Sequence, residues 1–275
     1  MSLFDAFRYD GKRVLVVGAA TGMGAATAAL VQDAGAEVIA MDFAEITLPG
    51  AKAISVNLAE KASIEAAVEE CGGPVHALFS CAGVADGTPG IERINFIGHR
   101  HMINLLLAGG MLGRGSAIGF ISSAAGLGWE SNLPELKEYL DIADFDAASK
   151  WAEDHNHADY FWSKQAVCAY VAREAMSLLK QGIRINAICP GPTDTPLAQA
   201  NRDQWLGFGA DYREEVGVEA ATPLEQAYPL VFLCSDGASA ITGTTVISDA
   251  GYMSSAVTES FPSATPIANF LLGRA

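Results

Sequence analysis

Positive charge is scarce in this 275-residue chain. Lysine and arginine together number 17 against 32 aspartates and glutamates, leaving a net charge of −15. A field of that sign repels phosphate backbones and anionic lipid, so neither nucleic acid nor a membrane surface is an expected partner. Paired cysteines are missing too. Cys71, Cys81, Cys168, Cys189 and Cys234 are odd in number, scattered and without Cys-x-x-Cys spacing, which argues against a disulfide framework or zinc site and for a reducing compartment. The greasiest run, around Leu105 to Leu112, is too short to span a bilayer and contains glycine. Met1 to Arg13 carries charges where a signal peptide needs its apolar stretch, so a cytoplasmic protein is expected. The pairs His99 with His101 and His155 with His157 are each two residues apart. On a helix that step turns the rings away from each other, and no metal site is expected.

What the chain does have is apolar content, 50% of its residues, arranged as short β-branched runs alternating with helical stretches. Strands are expected at 13–17, 37–41, 53–56, 75–80, 117–122, 183–188 and 244–247, with helices between them. Strands apolar on both faces indicate a parallel sheet covered on both sides. No internal repeat or linker divides the chain, so a single doubly wound α/β domain over residues 1–275 is the economical reading.

Two motifs carry chemistry. Tyr160 and Lys164 stand four apart on an expected helix, hence on one face. An ammonium beside a phenol favours the phenolate, and a tyrosine so tuned can accept and return a proton near neutral pH. Gly18-Ala19-Ala20-Thr21-Gly22-Met23-Gly24 lies between the first strand and first helix. Glycines there let the backbone approach a pyrophosphate resting on the helix N-terminus. Asp42, eighteen positions beyond Gly24 at the end of the second strand, can accept hydrogen bonds from an adenosine ribose and would repel a 2′-phosphate. Neither Thr21 nor Phe43 supplies the positive charge NADP would want, so NAD is the expected cofactor.

With these motifs in this order, the chain resembles the short-chain dehydrogenase/reductase family from Lys12 to about Tyr252. Further segments fit the pattern: Cys81-Ala82-Gly83 after the fourth strand, Asn95 on the next helix, Ser122-Ser123 ending the fifth strand, and Ile183 to Pro196 over the sixth strand and its loop. The resemblance implies a Rossmann-like sheet of seven strands with helices on both faces. It implies Tyr160 as catalytic acid/base, Lys164 as its partner and ribose ligand, Ser123 as the hydrogen-bond donor to the substrate oxygen, and Asn95 as a helix-disturbing residue that holds a water. It also implies cofactor contacts from Gly18, Thr21, Gly22, Met23, Gly24, Asp42 and Phe43. Cys81, Ala82, Gly83, Pro190, Gly191, Thr193 and Thr195 would add to these, with Asn57 and Leu58 near the adenine. A homo-oligomer, dimer or tetramer, is expected.

The chain departs from the family most between Ser123 and Tyr160, which lie 37 positions apart. The insert, about residues 129–159, reads as two short helices with nine acidic residues against Lys137 and Lys150. Its position ahead of Tyr160 suits it to block or rebuild a subunit interface and to roof the substrate site. The insert, the Cys-Ala-Gly variant and the short loop after it resemble the branch holding bacterial 3α-hydroxysteroid dehydrogenase/carbonyl reductases. The tail from 253 to 275 is expected to dock its apolar end over the cleft or on a partner. The expected activity is hydride transfer between NAD and a secondary alcohol or ketone on a bulky apolar molecule, a hydroxysteroid or a cyclic terpenoid or aromatic alcohol. The same fold also allows an NADP-dependent carbonyl reductase or a non-catalytic NAD-binding regulator.

Overall fold

The computed structural model describes residues 2–274. Seven strands, β1 (Arg13–Val17), β2 (Glu37–Asp42), β3 (Lys52–Ser55), β4 (Ala77–Ser80), β5 (Ala117–Ile121), β6 (Arg184–Pro190) and β7 (Thr245–Ser248), form one parallel sheet in the order β3-β2-β1-β4-β5-β6-β7. Their sequences explain this. After Arg13 at its start, Val14-Leu15-Val16-Val17 is apolar and mostly β-branched, and alternate side chains leave on opposite faces. Leu15 and Val17 join the core under one face of the sheet, while Val14 and Val16 join the core under the other. Both faces are thus buried, as an all-parallel sheet requires.

The crossover helices are α1 (Gly22–Asp33), α2 (Lys61–Cys71) and α3 (Gly98–Ala108), the last entered through a π-helical turn at Arg93–Ile97. Two insert helices, α4 (Leu133–Asp141) and α5 (Phe145–Asp154), precede the long α6 (Tyr160–Lys180). Beyond β6 come the short α7 (Pro196–Ala200), α8 (Arg202–Trp205) and α9 (Ala210–Val216), then α10 (Pro223–Cys234), α11 (Tyr252–Val257) and α12 (Thr265–Leu271). Helix α10 opens with a capping box between Thr222 and Glu225, and Pro223 sits in its first turn, where a missing N–H costs nothing. The strand order reverses at β1, between the β3-β2 wing and β4. Ligands of such sheets bind outside the carboxyl ends of the strands at this point.

The insert does not roof the cleft. Its apolar stripe turns inward: Leu136, Tyr139, Leu140, Phe145, Ala148 and Ala152 are buried in the same core as Phe96, Trp162 and Tyr170. Tyr139 packs its ring on Trp151 at 5.1 Å and near Phe96 at 5.7 Å and Trp162 at 6.0 Å. The acidic residues stay on the outside. The tail does dock: Phe261, Ala264, Ala268 and Leu271 form a third, smaller core with Leu127, Tyr212 and Tyr252. Among the described residues no helix is long and apolar enough to cross a membrane.

Candidate functional site

The carboxyl ends of β1, β4, β5 and β6 open into one cavity of about 370 Å³. Ten of the sequence-predicted residues line it: Met23 from the glycine turn, Cys81 and Gly83 beyond β4, Ser123 beyond β5, Tyr160 and Lys164 on α6, and Pro190, Gly191, Thr193 and Thr195 beyond β6. The structure thus gathers the serine, the phenol and the amine at one place.

Each is held from behind. Ser122 is buried and donates to the Lys164 carbonyl at 2.9 Å, so it ties β5 to α6. Ser123, one residue on, reverses direction, caps a single 3-10 turn by accepting from the Ala125 N–H at 3.2 Å, and faces the cavity. Asn95 lies one layer deeper. Its Oδ1 accepts from the Val84 N–H at 2.8 Å, and its Nδ2 donates to the Val84 carbonyl at 3.1 Å and to Ser163 Oγ at 3.2 Å. Asn95 sits in the π-helical turn, and its one amide clamps the loop after Gly83 to α6. Gly83 sits between the two, since a Cβ there would lie 3.4 Å from both Asn95 Oδ1 and Lys164 Nζ. His99 faces inward and donates Nε2–H to the Ala82 carbonyl at 3.0 Å. Burial holds its pKa down at about 4 and keeps it neutral.

The expected depression of the Tyr160 pKa by Lys164 is not what this geometry produces. The Lys164 amine lies over the ring, 5.4 Å from its centroid, and donates to the Ile121 carbonyl at 3.1 Å. Burial dominates both groups. It pushes the phenol up to about 12, against partial opposition from the Ser123 hydroxyl, and pushes the amine down to about 8. The site therefore keeps the phenol protonated at neutral pH and sets a titratable amine beside it.

The glycine turn fits a dinucleotide, though its glycines divide the work. A Cβ on Gly18 would lie 2.4 Å from the Ala82 nitrogen, and one on Gly24 would lie 1.9 Å from the Gly18 carbonyl. These two allow strand, turn and helix to pack on each other. Gly22, at φ +58°, faces Thr195 instead. Thr21 is extended and its side chain caps nothing, so the first-turn N–H groups of α1 are left for an anion. Asp42 accepts from the Ala20 N–H and the Ala44 N–H, both at 2.9 Å, which fixes its carboxylate beside the turn. Phe43 next to it is exposed. Asn57 and Leu58 stand apart: Asn57 bonds Glu60 and the Ala59 N–H, and Leu58 is buried in the core, so neither lines the cavity.

Several lining residues escaped sequence reasoning. Leu197 on α7, Trp205 on α8 and Phe208 just beyond it were not singled out; with Ile267, Phe270 and Leu271, from the tail whose apolar end was expected over the cleft, they form an apolar cap. The Trp205 ring lies 5.0 Å from that of Tyr160, and Phe270 lies 6.1 Å from Phe161. Helices of four to seven residues carry too little periodicity to reveal which side faces a cleft. Asp86 was also missed: its Oδ1 accepts from the Tyr160 N–H at 2.7 Å, across 74 residues of chain. A serine, a phenol and an amine under an apolar cap can hold an alcohol or carbonyl oxygen and exchange a proton with it.

Known proteins agree with this architecture. A family model described as enoyl-(acyl carrier protein) reductase matches residues 142–253. The chain is 29% identical over 260 residues to cis-4-hydroxycyclohexanecarboxylate dehydrogenase of Sinomonas cyclohexanicum, covering 88% of this chain and 96% of the relative. It is 31% identical to 2-keto-3-deoxy-L-fuconate dehydrogenase of Xanthomonas campestris over 272 residues, 89% of this chain and 81% of the relative. Among solved structures, the 3-alpha-hydroxysteroid dehydrogenase from Pseudomonas sp. B-0831, complexed with NADH, superposes with a TM-score of 0.73 at 28% identity, covering 90% of this chain and 99% of that one. With 31% identity to one relative over 89% of this chain and 81% of that one, the chain belongs to the short-chain dehydrogenase/reductase family of oxidoreductases.

Proposed function

We propose that the chain is an NAD-dependent dehydrogenase that interconverts a secondary alcohol and its ketone on a bulky, apolar, ring-bearing molecule. Hydroxysteroids are the leading substrate class, with cyclic terpenoid and aromatic alcohols next. The observation that carries this reading is the convergence of Ser123, Tyr160 and Lys164 beneath an apolar cap in one cavity of about 370 Å³. Two relatives whose names specify a hydroxylated ring, the cyclohexanecarboxylate and hydroxysteroid dehydrogenases, support the substrate class.

In this reading the nicotinamide supplies the hydride acceptor or donor at the carbinol carbon. The residues do the rest. Ser123 donates to the substrate oxygen, and Tyr160 gives its phenol proton to that oxygen in reduction; in oxidation it first loses that proton to solvent and then takes the hydroxyl proton as the phenolate. Lys164 holds the ribose, and its ammonium stabilises the phenolate as the proton leaves. Asn95 acts one step removed, keeping the Gly83–Val84 backbone and α6 in register. Asp42 and the absence of a cation at Thr21 or Phe43 favour NAD over NADP, and the NADH complex of the hydroxysteroid relative agrees. The insert packed on α6 covers that helix, which favours a homodimer over a tetramer.

The test is turnover of a hydroxysteroid and cyclic alcohol panel with NAD, alongside Tyr160→Phe. Loss of the proton-transfer group is expected to lower kcat about 10³-fold while NADH binding persists. No turnover on the whole panel, with the two proteins indistinguishable, would sink the proposal. Equal affinity for NAD and NADP would sink its cofactor part, and a light-scattering mass of four chains would sink the dimer.

A further inference from the structure

The cleft is poor in charge. Among the described residues that line it, Lys164 and Asp86 are the only charged ones. Lys164 is buried at its floor, beneath Tyr160 and bonded to the Ile121 carbonyl. Asp86 is at its mouth, exposed, on the short loop between Gly83 and the π-helical turn. That loop is not free to carry the carboxylate away. Asn95 grips it at Val84 through two hydrogen bonds, and Asp86 itself accepts from the Tyr160 N–H at 2.7 Å. A carboxylate at the N-terminus of a 21-residue helix is further held by the helix dipole.

Among the described residues it has no ion-pair partner: the other charged lining group, Lys164, is buried and donates to the Ile121 carbonyl. Arg202 belongs to the same short helix as Trp205, yet lines a separate surface groove with Asp194 and Asp203. The cap side of the wall is Trp205, Phe208, Phe270 and aliphatic residues with the Gln204 amide, while Ser122, Ser123, Thr193 and Thr195 supply uncharged hydroxyls from the strand ends. A substrate carboxylate entering here would shed its water against apolar surface and meet a fixed negative charge at the entrance. The phenol itself senses this charge, since Asp86 adds to the upward push on Tyr160.

We propose that Asp86 is a charge filter that makes this cleft select neutral ring alcohols against carboxylated ones. The inference rests on the ring-alcohol reading above and narrows it to uncharged members of that class. It gives Asp86 a second task besides fixing the loop on α6, so the two must be separated experimentally. Asp86→Asn keeps an oxygen for the Tyr160 N–H and removes only the charge.

The test compares cis-4-methylcyclohexanol with cis-4-hydroxycyclohexanecarboxylate, matched rings differing in the charged group. For each, kcat/KM with NAD and the Kd for the NADH-loaded protein by ligand-observed NMR are measured at low salt. The wild-type protein is expected to prefer the neutral ring at least tenfold in both measurements. Asp86→Asn is expected to shrink that preference threefold or more, and raising salt from about 0.05 to 0.5 M is expected to shrink it more in the wild type than in the variant. Equal affinities in the wild type, or a preference unmoved by both the substitution and salt, overturn the filter. Should Asp86→Asn fold poorly, Asp86→Ser, which also keeps an oxygen for the Tyr160 N–H, takes its place. If neither alcohol is turned over, the dehydrogenase reading fails, while the Kd ratio still judges the filter.

Discussion

The insert at 129–159 and the cap made by α7, α8 and α12 are both additions around the catalytic helix, and they do opposite things. The insert is adjacent in sequence to Tyr160, yet its apolar side chains face the core beneath Phe96 and Trp162 and none lines the cavity. The cap comes from 37 to 111 positions beyond Tyr160 and supplies most of the cavity's apolar wall. Distance along the chain therefore says little about influence on a cleft. What decides is where an apolar stripe finds its partner. Leu136, Tyr139 and Leu140 find a full set of neighbours and disappear into the core. Trp205 and Phe270 remain partly exposed, with one side free for a ligand.

If the division is real, damage to the insert should be a stability effect. Tyr139 is buried against Trp151, Phe96 and Trp162. Tyr139→Ala is expected to cost about 3–4 kcal/mol by denaturant titration, the range for emptying a buried aromatic site. The kcat and KM of the protein that stays folded should match the wild type. A shifted KM at full stability would place the insert at the cleft after all.

The cleft floor should show the reverse, a site held at some expense to the fold. Burial lowers the Lys164 pKa from 10.5 to about 8. Below about pH 8 the folded protein keeps a buried ammonium that the unfolded chain would solvate. Between about 8 and 10.5 the unfolded chain binds the extra proton, so stability rises with pH across that window. Lys164→Met is expected to be more stable than the wild type at pH 7 by about 2 kcal/mol, with the gain shrinking toward pH 9.5. Thermal melts at the two pH values check this. A variant less stable at pH 7 would mean that the bond to the Ile121 carbonyl outweighs the desolvation.

The contrast also explains how much could be read before folding. The sheet was legible because β1, β4 and β5 carry runs of consecutive apolar residues (Val14–Val17, Ala77–Phe79, Ala117–Ile121), which a strand buried on both faces tolerates. The choice of Ser123 over Ser122 came from the family pattern; both border the cavity, but Ser122 is buried with its hydroxyl spent on the Lys164 carbonyl. The pKa of Tyr160 was not legible, because spacing reports that Lys164 shares its face but not that both are buried. Asp86 was not legible because its partner is a backbone N–H 74 residues away, and no local pattern encodes such a pairing. The tail's share of the cap was legible in its apolar end, but the share from Trp205 was not, because it lies on a helix of four residues.

The cap side of the comparison yields the smaller, graded effects. Trp205 contacts the Tyr160 ring, so Trp205→Ala removes apolar wall next to the reacting oxygen. A loss of about tenfold in kcat/KM on a bulky ring alcohol corresponds to about 1.4 kcal/mol, with much less loss on a small alcohol such as propan-2-ol that never reaches the cap. Phe270 is 63% exposed and touches Phe161 at the rim. Because so much of its ring already faces water, Phe270→Ala should cost only about threefold on the bulky alcohol, carried by KM and not by kcat, and leave the melting temperature nearly unchanged. Should Phe270→Ala instead lower kcat as strongly as Trp205→Ala, the tail would be positioning the substrate oxygen and not only covering its ring, and the cap would have to be counted with Ser123 and Tyr160 as part of the reacting centre.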